Sequence, residues 1–225
     1  ISPDDVGYLD FESFFGTNRY AYCLDDPVNE SDPDGTMPNW LKWVIGGVVI
    51  VGLIVATFFT GGASAGVAGY IVAGALKGAV IGAVSGALVS GTIGGISSAI
   101  AGNGFWNGFA DGAADGFMSG AIVGAITGAI SSSIQVHNAS KLWANTGNKT
   151  AYDQMIEHYS RHVIDEGQKH AAKNIVSYTK QASEFYAKHS SMGRTLRPGV
   201  VKIDGAPGGI FNVDGLIRSF WYIGR

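Results

Sequence analysis

The sequence predicts a chain of three parts: a short segment of turns and strands, an all-α apolar segment, and a small α+β domain in which helices precede an antiparallel sheet. Three observations predict this organisation. Residues 44–136 contain only three charged side chains, glycine recurs there at every fourth position, and near residue 137 the apolar runs give way to amphipathic periodicity. The predicted parts are therefore 1–36, 37–136 and 137–225.

The first part is rich in Pro, Asp, Asn and Gly, which surround short aromatic stretches such as "RYAYCL". The first group of residues favours turns, and the aromatic stretches favour strands. We therefore expect residues 1–36 to form turns and short strands.

The glycines of the apolar part lie on two four-residue ladders. On a helix, a step of four residues drifts slowly around the axis, so each ladder leaves a groove in which another backbone can approach closely. Glycine costs roughly 1 kcal/mol per residue relative to Ala in a soluble helix, so these helices need lipid or a protein enclosure. With Ser90 filling a gap in the first, the ladders are Gly74, Gly78, Gly82, Gly86 and Gly94, and Gly104, Gly108, Gly112, Gly116, Gly120, Gly124 and Gly128.

The longest apolar run, "VIGGVVIVGLIVATFF", has 16 residues, near the lower limit for a membrane span. Later runs are interrupted by Ser, Thr and Asn. Two interpretations of residues 44–136 stay open. The segment either inserts transiently into a membrane or forms a small-residue plug or compact helical hairpin enclosed by protein.

Two amphipathic helices are predicted at the beginning of the third part. Thr150 with Asp153 matches a capping box, and apolar residues follow at helical spacing before Gly167. The second helix is predicted from the spacing of Ile175, Tyr178, Ala182, Phe185 and His189, with Gly193 as its stop.

Short β-branched and aromatic runs complete the third part. They read "VVKID", "GIFNV" and "LIRSFWYI", and Asp214 with Gly215 between the last two is a strong hairpin signal. Helices followed by an antiparallel sheet are therefore predicted for residues 137–225.

The two ends of the chain carry opposite charge. Residues 1–43 have nine acidic and two basic side chains, whereas residues 137–225 have twelve basic and seven acidic ones and all five histidines. Anionic ligands and proton transfer near neutral pH are therefore expected in the third part.

His158 and His162 of "HYSRH" are one helical turn apart, so both rings can face the same side. They could be a metal clamp, a catalytic pair or packing residues. A metalloprotease motif requires Glu directly after the first His, and Tyr159 stands there. The single cysteine, Cys23, excludes a Cys-based zinc site. No metal and no cofactor are assigned.

The two histidines are not expected to be equivalent. His162 lies at the border of the apolar stripe, where a half-desolvated ring would titrate near neutral pH and carry proton transfer. His158 lies nearer the helix start, where the positive end of the helix dipole disfavours its charged form. We therefore expect His158 to have a supporting role.

Downstream residues favour the acid–base interpretation. Metal-independent RNA cleavage needs a base for the ribose 2′-hydroxyl, an acid for the leaving 5′-oxygen, and cations for the charged transition state. Strict alternation along the last strand puts Arg218 with Phe220 and Tyr222 on one face, opposite Ser219 and Trp221. The candidate phosphate-binding cations are Arg194, Arg197, Lys202 and Arg218.

The motifs "ISPDD", "NRYAYCLDDPVN" and "DPDG" resemble the closing segment of the core in RHS-repeat proteins, the β-shell proteins of bacterial polymorphic toxins. The resemblance covers residues 1–36. It implies that a shell of the parent chain ends here and that an effector follows, delivered outside the producing cell, active in the target-cell cytoplasm and neutralised by a cognate immunity protein. Some members cut themselves after a DPxG-Leu motif, which Asp32 and Asp34 match, but Thr36 replaces its Leu. Cleavage and an ordinary turn both stay open.

Residues 151–225, from "HYSRH" through "YTKQASEFY" to the strand-rich end, resemble small ribonuclease toxins of the barnase, EndoU, colicin and RelE-like class. The resemblance implies an RNA substrate, with transfer RNA as one candidate. It also implies His162 as base or acid and leaves the second proton carrier open between His158, His170 and Tyr222. The implied phosphate and strand contacts are Arg197, Lys202, Ser219 and Tyr222, and the further substrate-binding candidates are Arg194, Arg218 and His170.

An effector of another class is the alternative. In it the glycine-ladder segment forms a pore or inserts into a membrane as the toxic element, and the third part is a stabilising module. The concentration of cations and histidines in the third part favours the ribonuclease, because a passive module needs neither.

Overall fold

The computed structural model describes residues 37–59 and 65–223, with the side chains of 53–59 and 65 excepted. The RHS-like segment 1–36, including the "DPDGT" turn, lies outside the described residues. Within the described part, five α-helices precede a small four-stranded antiparallel sheet. The predicted order of helices followed by a sheet is confirmed.

The helices differ greatly in length. The fourth continues as a π-helix, Ser160–Asp165, and the fifth ends in a 3₁₀ turn. The five are α1 (Asn39–Phe59), α2 (Ala65–Ile100), α3 (Phe105–Ser140), α4 (Ala151–Tyr159) and α5 (Ile175–His189).

Contacts between Cα atoms divide the chain into two compact units. Among the described residues, the first unit contains 37–51 and Ala79–Gly124, and the second contains 52–59, 65–78 and 125–223. Both α2 and α3 contribute to each unit.

In the first unit, α2 and α3 are antiparallel and their glycine ladders face each other. A Cβ atom added to Gly86 would lie closer than 3.0 Å to the carbonyl oxygen of Gly116, and one added to Gly82 would meet Gly120 in the same way. The close backbone approach predicted from the ladders is confirmed. Gly104, the first member of the second ladder, lies instead in the turn before α3 with a positive φ of 83°.

The second unit contains a further glycine contact between the same helices. A Cβ atom added to Gly128 would meet the backbone of Gly74. Near this contact, the Tyr70 hydroxyl donates to Oε1 of Gln135 at 2.6 Å. The ladder and a side-chain hydrogen bond therefore hold these two helix segments together.

Both short helices of the second unit begin with a capping box. The side chain of Thr150 accepts from the Asp153 amide, and Asp153 accepts from the Thr150 amide, as predicted. Asn174 and Ser177 form the equivalent pair at α5, which was not predicted from the sequence.

The sheet has the strand order β1-β2-β3-β4, formed by β1 (Arg194–Arg197), β2 (Val200–Ile203), β3 (Gly208–Asn212) and β4 (Ile217–Trp221). Each neighbouring pair is antiparallel. The three predicted strand runs and the hairpin between β3 and β4 are confirmed. The short, fully exposed β1 was missed because "RTLR" has no apolar alternation.

The core of the second unit is formed by large side chains from α4, α5 and the sheet, including Met155, Tyr178 and Phe220. Val67 and Val136 belong to the same core. Residue 137 lies inside α3, so the change in composition falls within a helix. The domain boundaries predicted from the sequence stay predictions.

Candidate functional site

The two faces of the sheet have different surroundings. Phe185 and Tyr186 of α5 pack against Phe211 with tilted rings, and Phe185 also packs against Phe220, so α5 covers one face. We call the opposite face the outer sheet face. It is the face on which Lys202, Ile210 and Ser219 lie, because residues paired across strands share a face.

Strand pairing gathers the predicted cations on the outer sheet face. Arg194 pairs with Lys202, Lys202 with Ile210, and Ile210 with Ser219, which gives one row across all four strands. Three steps of about 4.8 Å make this row roughly 14 Å long. Arg197 belongs to a second row, because it pairs with Val200 on β2, and Val200 pairs with Asn212 on β3.

Arg218 reaches Asn212 in that second row, and its Nη1 donates to the Asn212 Oδ1 at 2.9 Å. The prediction that Arg218 shares a face with Phe220 and Tyr222 is wrong. Between β3 and β4 the register shifts, so that Ile210 pairs with Ser219 but Phe211 pairs with Ile217. Arg218 is the extra residue of this β-bulge, which breaks the strict alternation.

Two of these cations share one carboxylate. Lys202 Nζ lies 2.6 Å from Oδ1 of Asp204, and Arg194 Nε lies 2.8 Å from Oδ2. The hydrogen bond from Lys202, and next the one from Arg194, lowers the pKa of the exposed Asp204 carboxyl. Lys202 also lies 5.7 Å from the ring centroid of Trp221. Asp204 therefore offsets part of the positive charge that the outer sheet face presents.

His158 and His162 lie side by side, as their spacing predicted. Their rings are nearly parallel with centroids 5.5 Å apart, and Trp143 stacks on the other side of His158 at 5.6 Å. The sequence offered no signal for Trp143. It lies beside β4 because it forms a parallel bridge with Ile217, far along the chain.

His162 is buried, with 1% of its surface exposed, so the prediction of a half-desolvated ring is wrong. It lies in the π-helix that follows α4, and a π turn changes the angular spacing assumed for an α-helix. Its Nδ1 lies 3.1 Å from Oε1 of Glu166. The His162 ring is therefore closed to solvent in the described arrangement.

His158 instead faces Ser219, the last residue of the row that begins at Arg194 on the outer sheet face. Its Nε2 lies 3.2 Å from the Gln154 Oε1, and its Nδ1 lies 3.4 Å from the Ser219 hydroxyl. Since the Gln154 oxygen is an acceptor, Nε2 carries the proton of the neutral ring, and Nδ1 is left as a proton acceptor. The contact between β4 and α4 therefore joins Ser219 to an imidazole lone pair.

Burial, and next the neighbouring His162 and Arg161, lower the pKa of His158 to about 4. The predicted direction is confirmed, but the helix dipole is not the cause. His158 lies in the last turn of α4, away from the positive end of the helix. At neutral pH the ring is uncharged.

Tyr222 and His170 do not lie in the row of Arg194, Lys202, Ile210 and Ser219 on the outer sheet face. The Tyr222 hydroxyl donates to Oε1 of Gln181 on α5 at 2.8 Å, on the side of the sheet that the helices cover. Burial raises the pKa of Tyr222 above its usual value. His170 is exposed in the connection before α5.

Two of the missed neighbours had a sequence signal. Gln154 is four residues before His158, and Glu166 is four residues after His162, which is the spacing at which helical side chains meet. Asp204 had no comparable signal, because strand register decides its partners. The neighbours of the histidines could therefore be predicted from helix spacing, whereas the partner of the strand cations could not be predicted from the strand sequences.

In the described part of the chain, no group of three or more His, Cys, Asp or Glu side chains could hold a metal ion. A shallow pocket on α4 and the π-helix is lined by the carboxylates of Asp153, Glu157 and Asp165 and by Arg161. Its excess of negative charge does not suit a polyanion.

A scan against protein-family models finds no match, and searches of curated proteins and of solved structures also find no similar protein.

Proposed function

We propose that the second unit is an RNA-cleaving toxin domain that works without a metal, at the junction of the outer sheet face and His158. The observation that carries the proposal is the row Arg194, Lys202, Ile210 and Ser219, whose last member touches an uncharged imidazole. Cations for a phosphate and a proton acceptor for a hydroxyl are then arranged along one surface.

His158, and not His162, is the proton acceptor in this proposal. The separation of 3.4 Å between Ser219 Oγ and His158 Nδ1 is long for a hydrogen bond, so the lone pair is weakly engaged. A ribose 2′-hydroxyl that replaces the serine hydroxyl would transfer its proton to Nδ1 while its oxygen bonds to the phosphorus. The bond from phosphorus to the 5′-oxygen then breaks, and the leaving 5′-oxygen takes a proton from solvent water. His162 is a positioning residue, since it stacks against His158 and is held by Glu166.

In this proposal, the cations bind the RNA phosphates at and next to the attacked phosphodiester bond. Arg218 presents a guanidinium beside Ser219 on β4, and Arg197 and Lys202 extend the positive surface across the sheet. Because each phosphate contact releases counterions, Arg218→Ala should weaken RNA binding and reduce its salt dependence. Lys180→Ala, at an exposed residue of α5, is the matched control.

The resemblance of residues 1–36 to an RHS core end supports a setting for this activity. The proposed effector is carried by an RHS shell, leaves the producing cell, acts in the cytoplasm of a competitor, and is held inactive in its own cell by an immunity protein. Self-cleavage near Thr36 is not part of the proposal, since the Leu of the cleavage motif is absent.

The test is single-turnover RNA cleavage by the full chain in the presence of EDTA. We expect cleavage to persist, and His158→Ala to slow it by roughly a hundred- to ten-thousandfold, as loss of a positioned base does. His137→Ala removes an exposed histidine at the end of α3 and should leave the rate unchanged. Normal cleavage by a folded His158→Ala chain would remove this residue from the mechanism.

A second function is favoured by the surface of α2 and α3. The two helices are long and apolar enough to cross a membrane by length and composition. Their glycines face each other, which leaves large aliphatic side chains exposed, among them Ile81, Leu88, Ile93, Ile126 and Ile130. We propose that these helices enter a lipid bilayer, as a delivery device for the ribonuclease or as a pore.

Two assays distinguish a delivery device from a pore. One measures killing of bacteria by the protein supplied from outside, and the other measures toxicity of the same protein made in their cytoplasm. If the helices only deliver, disrupting them abolishes killing from outside and leaves toxicity of the same chain unchanged when it is made in the cytoplasm. Equal loss in both assays would favour the pore.

A further inference from the structure

We propose that α1 enters the bilayer together with α2 and α3, because its Lys42 neutralises the Asp115 carboxylate of α3, and that three tryptophans at one end of this assembly lie at the phospholipid headgroups. The inference rests on the proposed membrane insertion. It concerns the first unit alone.

The acidic residues of α3 are an obstacle to insertion. Asp111 and Asp115 are one turn apart, and the Asp115 side chain is 57% exposed. At the border between headgroups and hydrocarbon, an ionised carboxylate is disfavoured unless a cation or hydrogen-bond donor accompanies it.

Helix α1 supplies a partner for each carboxylate. Lys42 Nζ lies 2.6 Å from Oδ1 of Asp115, and the Asn39 amide donates to the Asp111 side chain. Because Lys42 is only 13% exposed, its charge is directed at Asp115 and away from the surroundings. The pair of Lys42 and Asp115 is electrically neutral. It enters the bilayer intact only if α1 stays packed on α3.

Apolar contacts continue the same interface along both helices. Trp43 packs against Phe117 with ring centroids 4.5 Å apart, and Gly46 leaves the space in which the Phe117 ring lies. Asn39, Lys42, Trp43 and Gly46 form one helical stripe on α1 that matches increasing positions on α3, so the two helices run parallel here.

Parallel helices bring their N-terminal ends together, and three exposed tryptophans, which we call the collar, lie at these two N-termini. Trp40 and Trp43 are near the start of α1, and Trp106, 75% exposed, is at the start of α3 in contact with Phe105 and Phe109. Tryptophan is enriched where hydrocarbon meets headgroups. Beyond this collar, in the part of α1 whose side chains the structure describes, the exposed large side chains are Val44, Val48 and Val51.

A lipid bilayer is the occupant that these features favour together. It accounts for the aromatic collar at one end, the pairing of the charges at the level of that collar, and the aliphatic surface beyond it. A protein groove would not require the collar.

The experiment measures binding of the full chain to vesicles of phosphatidylcholine and phosphatidylglycerol by tryptophan emission and by quenching with lipid-attached quenchers. Trp143 and Trp221 are buried in the second unit and should not change, so a blue shift reports the three collar tryptophans. We expect quenchers near the headgroups to act more strongly than quenchers at the bilayer centre.

Charge variants test the role of Lys42. Lys42→Asp and Asp115→Lys should each lower the vesicle-bound fraction by about tenfold or more, and the double variant that exchanges the two charges should restore it. Lys77→Ala, which removes an exposed lysine of α2, is the control and should bind as the wild type does.

The outcomes distinguish this inference from the function on which it rests. If the wild-type chain does not enter vesicles, the membrane function is overturned. If it does and Lys42→Asp enters equally well, or the exchanged pair restores nothing in a chain that circular dichroism shows to be folded, the role of α1 is overturned and the membrane function stands.

Discussion

The interiors of the first unit and of the second unit are stabilised by different kinds of contact. In the first, α2 and α3 meet through glycine backbones, and the large side chains point outward. In the second, aromatic and aliphatic side chains such as Tyr178, Phe211 and Phe220 fill the interior. The difference teaches where each unit can carry function: the first has an apolar exterior suited to lipid, and the second has polar groups positioned by a rigid core.

The largest effect is expected where backbone packs on backbone. Gly116→Leu should separate α2 from α3, because even a Cβ atom at this position would lie closer than 3.0 Å to the carbonyl oxygen of Gly86, which cannot move aside independently. Disulfide cross-linking of cysteines placed on the two helices measures their proximity. Gly47→Leu is the matched control, since nothing lies within 4 Å of a Cβ atom there.

Cross-linking of Gly116→Leu at the wild-type rate would contradict the glycine contact. Equal loss of cross-linking in Gly47→Leu would instead mean that any added side chain in this apolar part disturbs the helices. Either result would weaken the contrast between the two units.

A smaller effect is expected from pH on the second unit. The pKa of His158 is about 4 in the folded chain and 6.5 in the unfolded chain, so the unfolded chain binds the proton more tightly. The stability that this neutral ring contributes is fully present above pH 6.5 and is lost as pH falls from 6.5 to about 4. The linked free energy of unfolding amounts to about 3 kcal/mol.

Urea unfolding monitored by near-ultraviolet circular dichroism at several pH values measures this loss. His158→Gln should flatten the dependence between pH 6.5 and 4, because the titrating group is gone. An unchanged slope in that variant would assign the pH dependence to another group.

Val67→Ala should have a smaller effect still. Val67 of α2 lies in the core of the second unit, so removing two methyl groups should lower the free energy of unfolding by about 2 kcal/mol. Val80→Ala, at an exposed position on the same helix, should change it little. Thermal unfolding of both variants compares them. Equal stability would favour the boundary near residue 137, with the third part folding without α2.

The sequence predicts local features of the second unit better than its site. The capping box at Thr150, the two amphipathic helices and the hairpin at Gly215 follow from short-range spacing, and the structure has all of them. The glycine ladders also predict their own contact, because a four-residue repeat specifies one helix face.

Features that depend on pairing could not be read in the same way. The bulge that displaces Arg218 arises from the register between β3 and β4, and no residue type signals it. The burial of His162 depends on a π turn, whereas the prediction assumed α-helical spacing throughout. The prediction of a half-desolvated His162 ring is therefore wrong, whereas the prediction that the two rings can face the same side is confirmed. Their roles in proton transfer stay predictions.

The division of function between the units is tested most directly by measuring RNA cleavage in EDTA with Gly116→Leu and His158→Ala full chains side by side. The account predicts that Gly116→Leu cleaves at the wild-type rate and that His158→Ala loses roughly a hundredfold or more. Wild-type cleavage by a folded His158→Ala chain, together with loss in Gly116→Leu, would contradict it.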